Sequence, residues 1–125
     1  MANSKTMVDK VIDLLFKLLC GHAIADFAFQ SDAIARGKNK NNKTEPPPGQ
    51  KYVACWPYYL TAHALIHGGM VTIITGSVLL GMFETVAHWC IDYGKCNNWY
   101  GVHIDQFLHF SCKLILTIVV KYGII

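Results

Sequence analysis

YVACWPYYLTAHALIHGGMVTIITGSVLLGMF, residues 52–83, contains no Lys, Arg, Asp or Glu. One membrane crossing takes about 20 consecutive, mostly apolar residues, so this run is long enough for two. Gly76-Ser77 interrupts it near the middle and reads as a tight, uncharged turn between two apolar helices folded back on each other. The whole chain of 125 residues is 53 % hydrophobic and 15 % charged, which leaves little polar coat for a soluble globule. The expected fold is all-α: a single integral-membrane domain over residues 1–125, built as an antiparallel four-helix bundle with a His/Asp-lined interior. The competing fold is a soluble helical bundle with an unusually apolar surface.

Outward from that run, helix one is expected from Met7 to Ala35, helix two from Pro57 to Thr75, helix three from Ser77 to Gly94 and helix four from Val102 to Tyr122. Proline suits the first turn of a helix, and Gly94-Lys95 beyond Asp92 reads as a stop. Helix one is the weakest crossing because Asp13, Lys17 and Asp26 interrupt it; Asp13 and Lys17 are one turn apart and can pair. The basic start with Lys5 and Lys10, an apolar run and Ala23-Ile24-Ala25 imitate a signal peptide, but Asp9, Asp13 and Lys17 spoil its apolar region. Gly37 to Lys51, rich in Lys and Asn and holding Pro46-Pro47-Pro48, is expected to be a polar loop, partly extended. The five cysteines include no C-x-x-C, so they imply neither a disulfide framework nor a thiolate zinc finger.

Each expected helix carries two metal-ligating side chains four residues apart: His22 and Asp26, His63 and His67, His88 and Asp92, Asp105 and His109. That spacing puts both on one helical face with about 6 Å of rise between them. One such pair is weak evidence, since a helix-surface hydrogen bond explains it. Four pairs, one per helix, all in the halves that an up-down bundle brings to one side, predict convergence at similar depth. Asp inside a membrane helix costs roughly 2.5 to 3.5 kcal/mol on insertion scales, and intramembrane ionisable groups usually mark functional sites. Imidazole and carboxylate donors suit zinc first, and also manganese, iron or nickel, as one or two divalent ions. Some of the eight can equally orient other ligands rather than bind metal.

Glu84 extends the third stripe to Glu84, His88, Asp92, and Gln30 extends the first to His22, Asp26, Gln30. Glu84 is a candidate proton acceptor or ligand, or else a helix-start carboxylate at the far interface; Gln30 and Gln106 are candidates for orienting water or substrate. His103, out of phase with Asp105 and His109, is assigned to the interface. Arg36, Lys38, Lys40, Lys43, Lys51 and Lys95 lie on the site side against Lys5, Lys10 and Lys121 on the other, which turns the site to the cytoplasm of a bacterial inner membrane. Trp56, Tyr58, Tyr59, Trp89, Tyr93, Trp99 and Tyr100 collect on that side too, as in a headgroup belt.

HAIADFAFQ (22–30), HALIHG (63–68), HWCID (88–92) and DQFLH (105–109) together resemble the family called domain of unknown function 3307, small membrane proteins of bacteria and phages. The pattern is also similar, more distantly, to inner-membrane proteins labelled metal-dependent hydrolases, and its H-x-x-x-D pairs to those of zinc phospholipase C and P1 nuclease. By that analogy the eight His and Asp residues contain the ligands of a two-metal centre that attacks a phosphoester. The expected function is therefore a membrane-embedded metal-dependent hydrolase, with Asp92 or Glu84 managing protons, acting on a lipid headgroup, a lipid-linked phosphate or a nucleotide. Expected partners are the lipid bilayer, a phosphate-bearing molecule and a second copy of the chain, with no nucleic-acid duplex. Two rivals stand beside it: metal transport or sensing, and a metal that only staples four helices. The apolar far halves of helices two and four, Met70 to Thr75 and Leu114 to Val120, count against transport.

Overall fold

The computed structural model describes residues 6–43 and 45–125; Lys5, counted in the charge asymmetry, lies outside them. The described chain is all-helical: α1 (Met7–Ala23), a π-helical turn (Ile24–Ala28), α2 (Asp32–Gly37), α3 (Trp56–Thr75), α4 (Val78–Cys96) and α5 (Val102–Lys121). α1 packs on α3 and α5, and α4 packs on the same two, so these four close a ring while the short α2 leans on α3.

Helix one is not continuous to Ala35, as the sequence led us to expect. The Phe29 N–H donates to the carbonyl of Ile24 at 3.0 Å, a five-residue reach that ends regular α-helix, and Ser31 then caps a new helix by accepting the Ile34 N–H at 3.3 Å. A Ser-Asp pair is a start signal inside an otherwise helical pattern. π turns often accompany functional sites, and this one carries Asp26.

The other ends follow local rules. At the start of α1, Thr6 Oγ1 accepts the Asp9 N–H at 3.2 Å while Asp9 Oδ2 accepts the Thr6 N–H at 3.0 Å, a reciprocal capping box. Gly76 ends α3 at φ +73°, in the left-handed region, and Ser77 caps α4 by accepting the Leu80 N–H at 3.4 Å. Gly76→Ala meets no neighbouring atom, so its cost is backbone strain alone, about 1–2 kcal/mol, to be read as a lower unfolding midpoint.

Within that hairpin the backbones nearly touch. A Cβ built on Gly68 would sit 2.5 Å from the Gly81 carbonyl oxygen, and one on Gly81 2.6 Å from that of Gly68. Thr72 and Thr85 flank the crossing and give their hydroxyls to those same carbonyls, at 3.0 and 2.9 Å. The close approach of α3 and α4 is what brings the histidines of one helix against those of the other.

The interior divides into two halves. Away from the histidines, Leu18, Val71, Leu80 and Leu116 form a buried apolar layer with Leu14, Ile74, Val119 and Val120 against it. The other half is polar: His63, His67, Glu84, His88, Asp92, Asp105, His109, Lys113 and Thr117 are all buried. The outside is the reverse, with Phe16, Phe27, Ile73, Leu79, Met82, Val86 and Phe107 each more than half exposed. By length and composition, α5 is the one described helix apolar enough to cross a membrane. The buried polar residues of α3 and α4 face the ring interior.

Candidate metal centre

His22 comes from the last turn of α1, Asp26 from the π turn, His63 and His67 from α3, His88 and Asp92 from α4, and Asp105 and His109 from the first turns of α5. All eight meet in one volume between the four helices. Asp26 is approached by three imidazoles: His67 Nε2 at 2.9 Å, His22 Nε2 at 3.2 Å and His63 Nε2 at 3.3 Å. Asp92 is the second hub, with His109 Nε2 at 3.2 Å, His63 Nε2 at 3.4 Å and His88 Nε2 at 3.7 Å. Asp105 Oδ1 lies 3.6 Å from His109 Nε2. The rings of His67 and His88 stack at 3.5 Å, and those of His88 and His109 at 4.2 Å.

Three overlapping donor groups result: Asp26, His63, His67 and His88; His22, His88 and His109; and Asp92, Asp105 and His109, each with ligand atoms within 4.8 Å of one another. Ligand bonds of about 2.1 Å in a tetrahedral shell put neighbouring donor atoms about 3.4 Å apart, which is the separation most of these His–Asp pairs already have. Both ring nitrogens of His22, His63 and His88, and one each of His67 and His109, are buried without a hydrogen-bond partner. Buried polar groups are normally satisfied, and a nitrogen lone pair facing other donors is what a cation satisfies. The donor set therefore fits a divalent metal.

Burial grades across the site. His63 and His88 are fully buried, whereas the side chains of His22 and Asp26 are 11 % and 13 % exposed, so the π turn forms its open edge. Gln30 donates to the Asp26 carbonyl at 3.3 Å and so braces that turn, and its own carbonyl oxygen is buried and unpartnered. Gln106 reaches Asp105 Oδ2 at 3.1 Å and Asp26 Oδ2 at 3.5 Å, bridging those two carboxylates. His103 is exposed on α5.

Two lysines that the sequence did not assign to the site reach its carboxylates. Lys38 Nζ donates to Asp92 Oδ2 at 2.5 Å, and Lys95 Nζ lies 3.8 Å from Asp105 Oδ2. Lys38 is brought there by a strap that follows α2, fastened to the end of α4 where Lys40 donates to Tyr93 Oη at 2.9 Å and Asn41 to the Cys96 carbonyl at 2.9 Å. Tyr93 in turn stacks on Trp89 at 5.2 Å and lies 5.8 Å from both Trp56 and Trp99, so the strap seals onto the aromatic cluster. A surface cavity of about 290 Å³ opens between the loop and the start of α3, lined among others by Asn39, Asn42, Lys51 and Tyr59.

Glu84 does not join the donor groups. It is hydrogen-bonded to Lys113 of α5, a residue the sequence reading passed over, and both are 1 % exposed. The signal was present: Asp105, His109, Lys113 and Thr117 continue one i, i+4 stripe on α5. Lys113 and Thr117 carry buried polarity to the edge of and into Leu114 to Val120, the stretch expected to be nearly all apolar.

Neither the curated proteins nor the solved structures contain a match to this chain. The sequence pattern of the family described as "Protein of unknown function (DUF3307)" matches residues 14–124, a span that includes every one of the eight His and Asp donors, and the chain belongs to that family.

Proposed function

We propose that this chain is a membrane-embedded metal-dependent hydrolase acting on a phosphoester, with one or two divalent ions, zinc first among them, held among His22, Asp26, His63, His67, His88, Asp92, Asp105 and His109 near the cytoplasmic face. The observation that carries the reading is the meeting of eight His and Asp side chains in one volume, with several of the imidazole nitrogens lacking a hydrogen-bond partner. A purely structural polar network is expected to give buried nitrogens better hydrogen bonds than these.

The inverted distribution supports the membrane setting, because buried ionisable residues beneath a coat of exposed Phe, Ile, Leu and Val suit a solvent that is itself apolar. At about 1.5 Å per residue, α3, α4 and α5 are each about 28–30 Å long, the thickness of a bilayer core. Arg36, Lys38, Lys40, Lys43, Lys51 and Lys95 on the site side favour the cytoplasmic orientation of a multi-pass protein of the inner membrane.

A bound divalent ion supplies Lewis acidity and water activation near neutral pH. The chain's own residues do the rest. Lys38 and Lys95, at the rim, meet the charge of an entering phosphoryl group; Asp92 and Asp105 hold their ammonium groups in place; Gln106 ties Asp26 to Asp105; and the strap excludes bulk water. One observation favours a second reading, a metal that only staples the helices: His63, His67, His88 and His109 are at most 1 % exposed.

The test is metal content by elemental mass spectrometry on untagged protein in detergent, for wild type beside His63→Ala and Asp92→Ala. One to two ions per chain are expected in wild type, falling in both variants; a folded wild type without metal sinks the hydrolase and the staple alike. Loaded protein is then assayed on a chromogenic phosphodiester with and without chelator. Chelator-sensitive turnover supports the enzyme, and loaded protein without turnover supports the staple.

A further inference from the structure

Two buried charges lie one helical turn below the donor cluster. Glu84 on α4 and Lys113 on α5 are hydrogen-bonded to each other, and the Lys113 carbonyl accepts the Thr117 hydroxyl at 2.8 Å. Desolvating two charges is costly, and apolar residues of similar volume commonly hold helices together as well or better. Helix packing is therefore a poor reason for this pair.

His88 supplies a better one. It stands one turn further along α4, with Nδ1 3.6 Å from Glu84 Oε1 and Nε2 on the other side, 3.7 Å from Asp92 Oδ2. His88 Nδ1 and Glu84 Oε2 are both buried without a hydrogen-bond partner. The first can donate and a carboxylate can only accept, so the two groups are complementary. His88 also belongs to two of the three donor groups and is stacked between His67 and His109. Which of its nitrogens carries the lone pair therefore matters to more than one ligand set.

We infer that Glu84, anchored by Lys113, is a positioning residue: it accepts the Nδ1–H of His88 and so turns the Nε2 lone pair toward the donor cluster. A neutral imidazole has one N–H and one lone pair, and the partner of one nitrogen decides the state of the other. Lys113 has three donors and no acceptor; it can take nothing from His88, and its hold on Glu84 keeps the carboxylate beneath the ring. As a statement about a metal ligand the inference rests on the metal-centre reading above; as a statement about a tautomer it does not.

The experiment is ¹⁵N NMR of histidine-labelled full chain in micelles, with the His88 signals identified by their loss in His88→Gln. Wild-type His88 is expected to be protonated on Nδ1 and bare on Nε2, and Nε2 is expected to shift as zinc is added. In Glu84→Gln/Lys113→Met, which removes both charges together, His88 is expected to lose that single-tautomer signature and zinc affinity to fall about 10- to 100-fold. Wild-type His88 protonated on Nε2, or a double variant with wild-type tautomer and affinity, overturns the inference and leaves the pair as packing. The wild-type measurement decides the matter even where the variant does not fold. Wild type that takes up no zinc yet keeps the Nδ1–H supports the orienting role and overturns the metal reading instead.

Discussion

Lys113→Met alone is expected to destabilise the protein by about 3–5 kcal/mol, because it leaves the Glu84 carboxylate buried with no counter-charge. The loss comes from the partner left behind more than from the bond removed. Glu84→Gln/Lys113→Met takes both charges out and is expected to recover most of the loss, or to exceed wild type by about 1–4 kcal/mol if the methionine packs well. Denaturant titration in mixed micelles, followed by near-ultraviolet circular dichroism, reads both. A Lys113→Met midpoint equal to that of wild type would show that Glu84 finds another partner and that the two helices do not depend on the pair.

The second large effect is expected at the α3/α4 crossing. In Gly68→Ala the new methyl carbon falls 2.5 Å from the Gly81 carbonyl oxygen and 1.9 Å from Thr85 Oγ1. The threonine can rotate, but the backbone carbonyl cannot, so the helices must part. Overpacking of this kind costs about 1–3 kcal/mol, and here it also draws His63 and His67 away from His88. Gly69→Ala is the matched control: its Cβ meets nothing within 4 Å, and the better helix propensity of alanine is expected to stabilise by up to about 1 kcal/mol. Opposite signs at adjacent glycines identify the crossing as the cause; equal effects would mean that α3 responds to propensity alone.

How much of this was legible in the sequence depends on whether the information is local. The hairpin of α3 and α4 was, since a charge-free run broken by Gly76-Ser77 has few other solutions, and so were the pairs four residues apart on α3, α4 and α5, whereas His22 and Asp26 are divided between α1 and the π turn. The π turn was not: nothing in Ile24 to Ala28 distinguishes a five-residue reach from a four-residue one, although Ser31-Asp32 did mark the restart that was overlooked. Lys38 was read as a topology charge because its approach to Asp92 spans 54 residues of chain and depends on how α2 leans. Lys113 was readable, four residues after His109, but a lysine in an apolar helix invites the assumption that it snorkels outward. Periodicity finds faces; it does not say which charges a neighbouring helix will pair.

The Gly76-Ser77 connection bears on biogenesis as well as on packing. Between Lys51 and Glu84 the chain carries no formal charge if its two histidines are neutral, and the turn itself offers only a glycine and a serine to the far side. In the membrane setting proposed above, α3 and α4 can enter together as a preformed loop, their glycine contact already made and an uncharged tip leading. The strap, fastened to the end of α4 away from that turn, has no need to follow it. The order of assembly then becomes the order of the site: the hairpin brings in His63, His67, His88 and Asp92 as one piece, and α1 and α5 close around it.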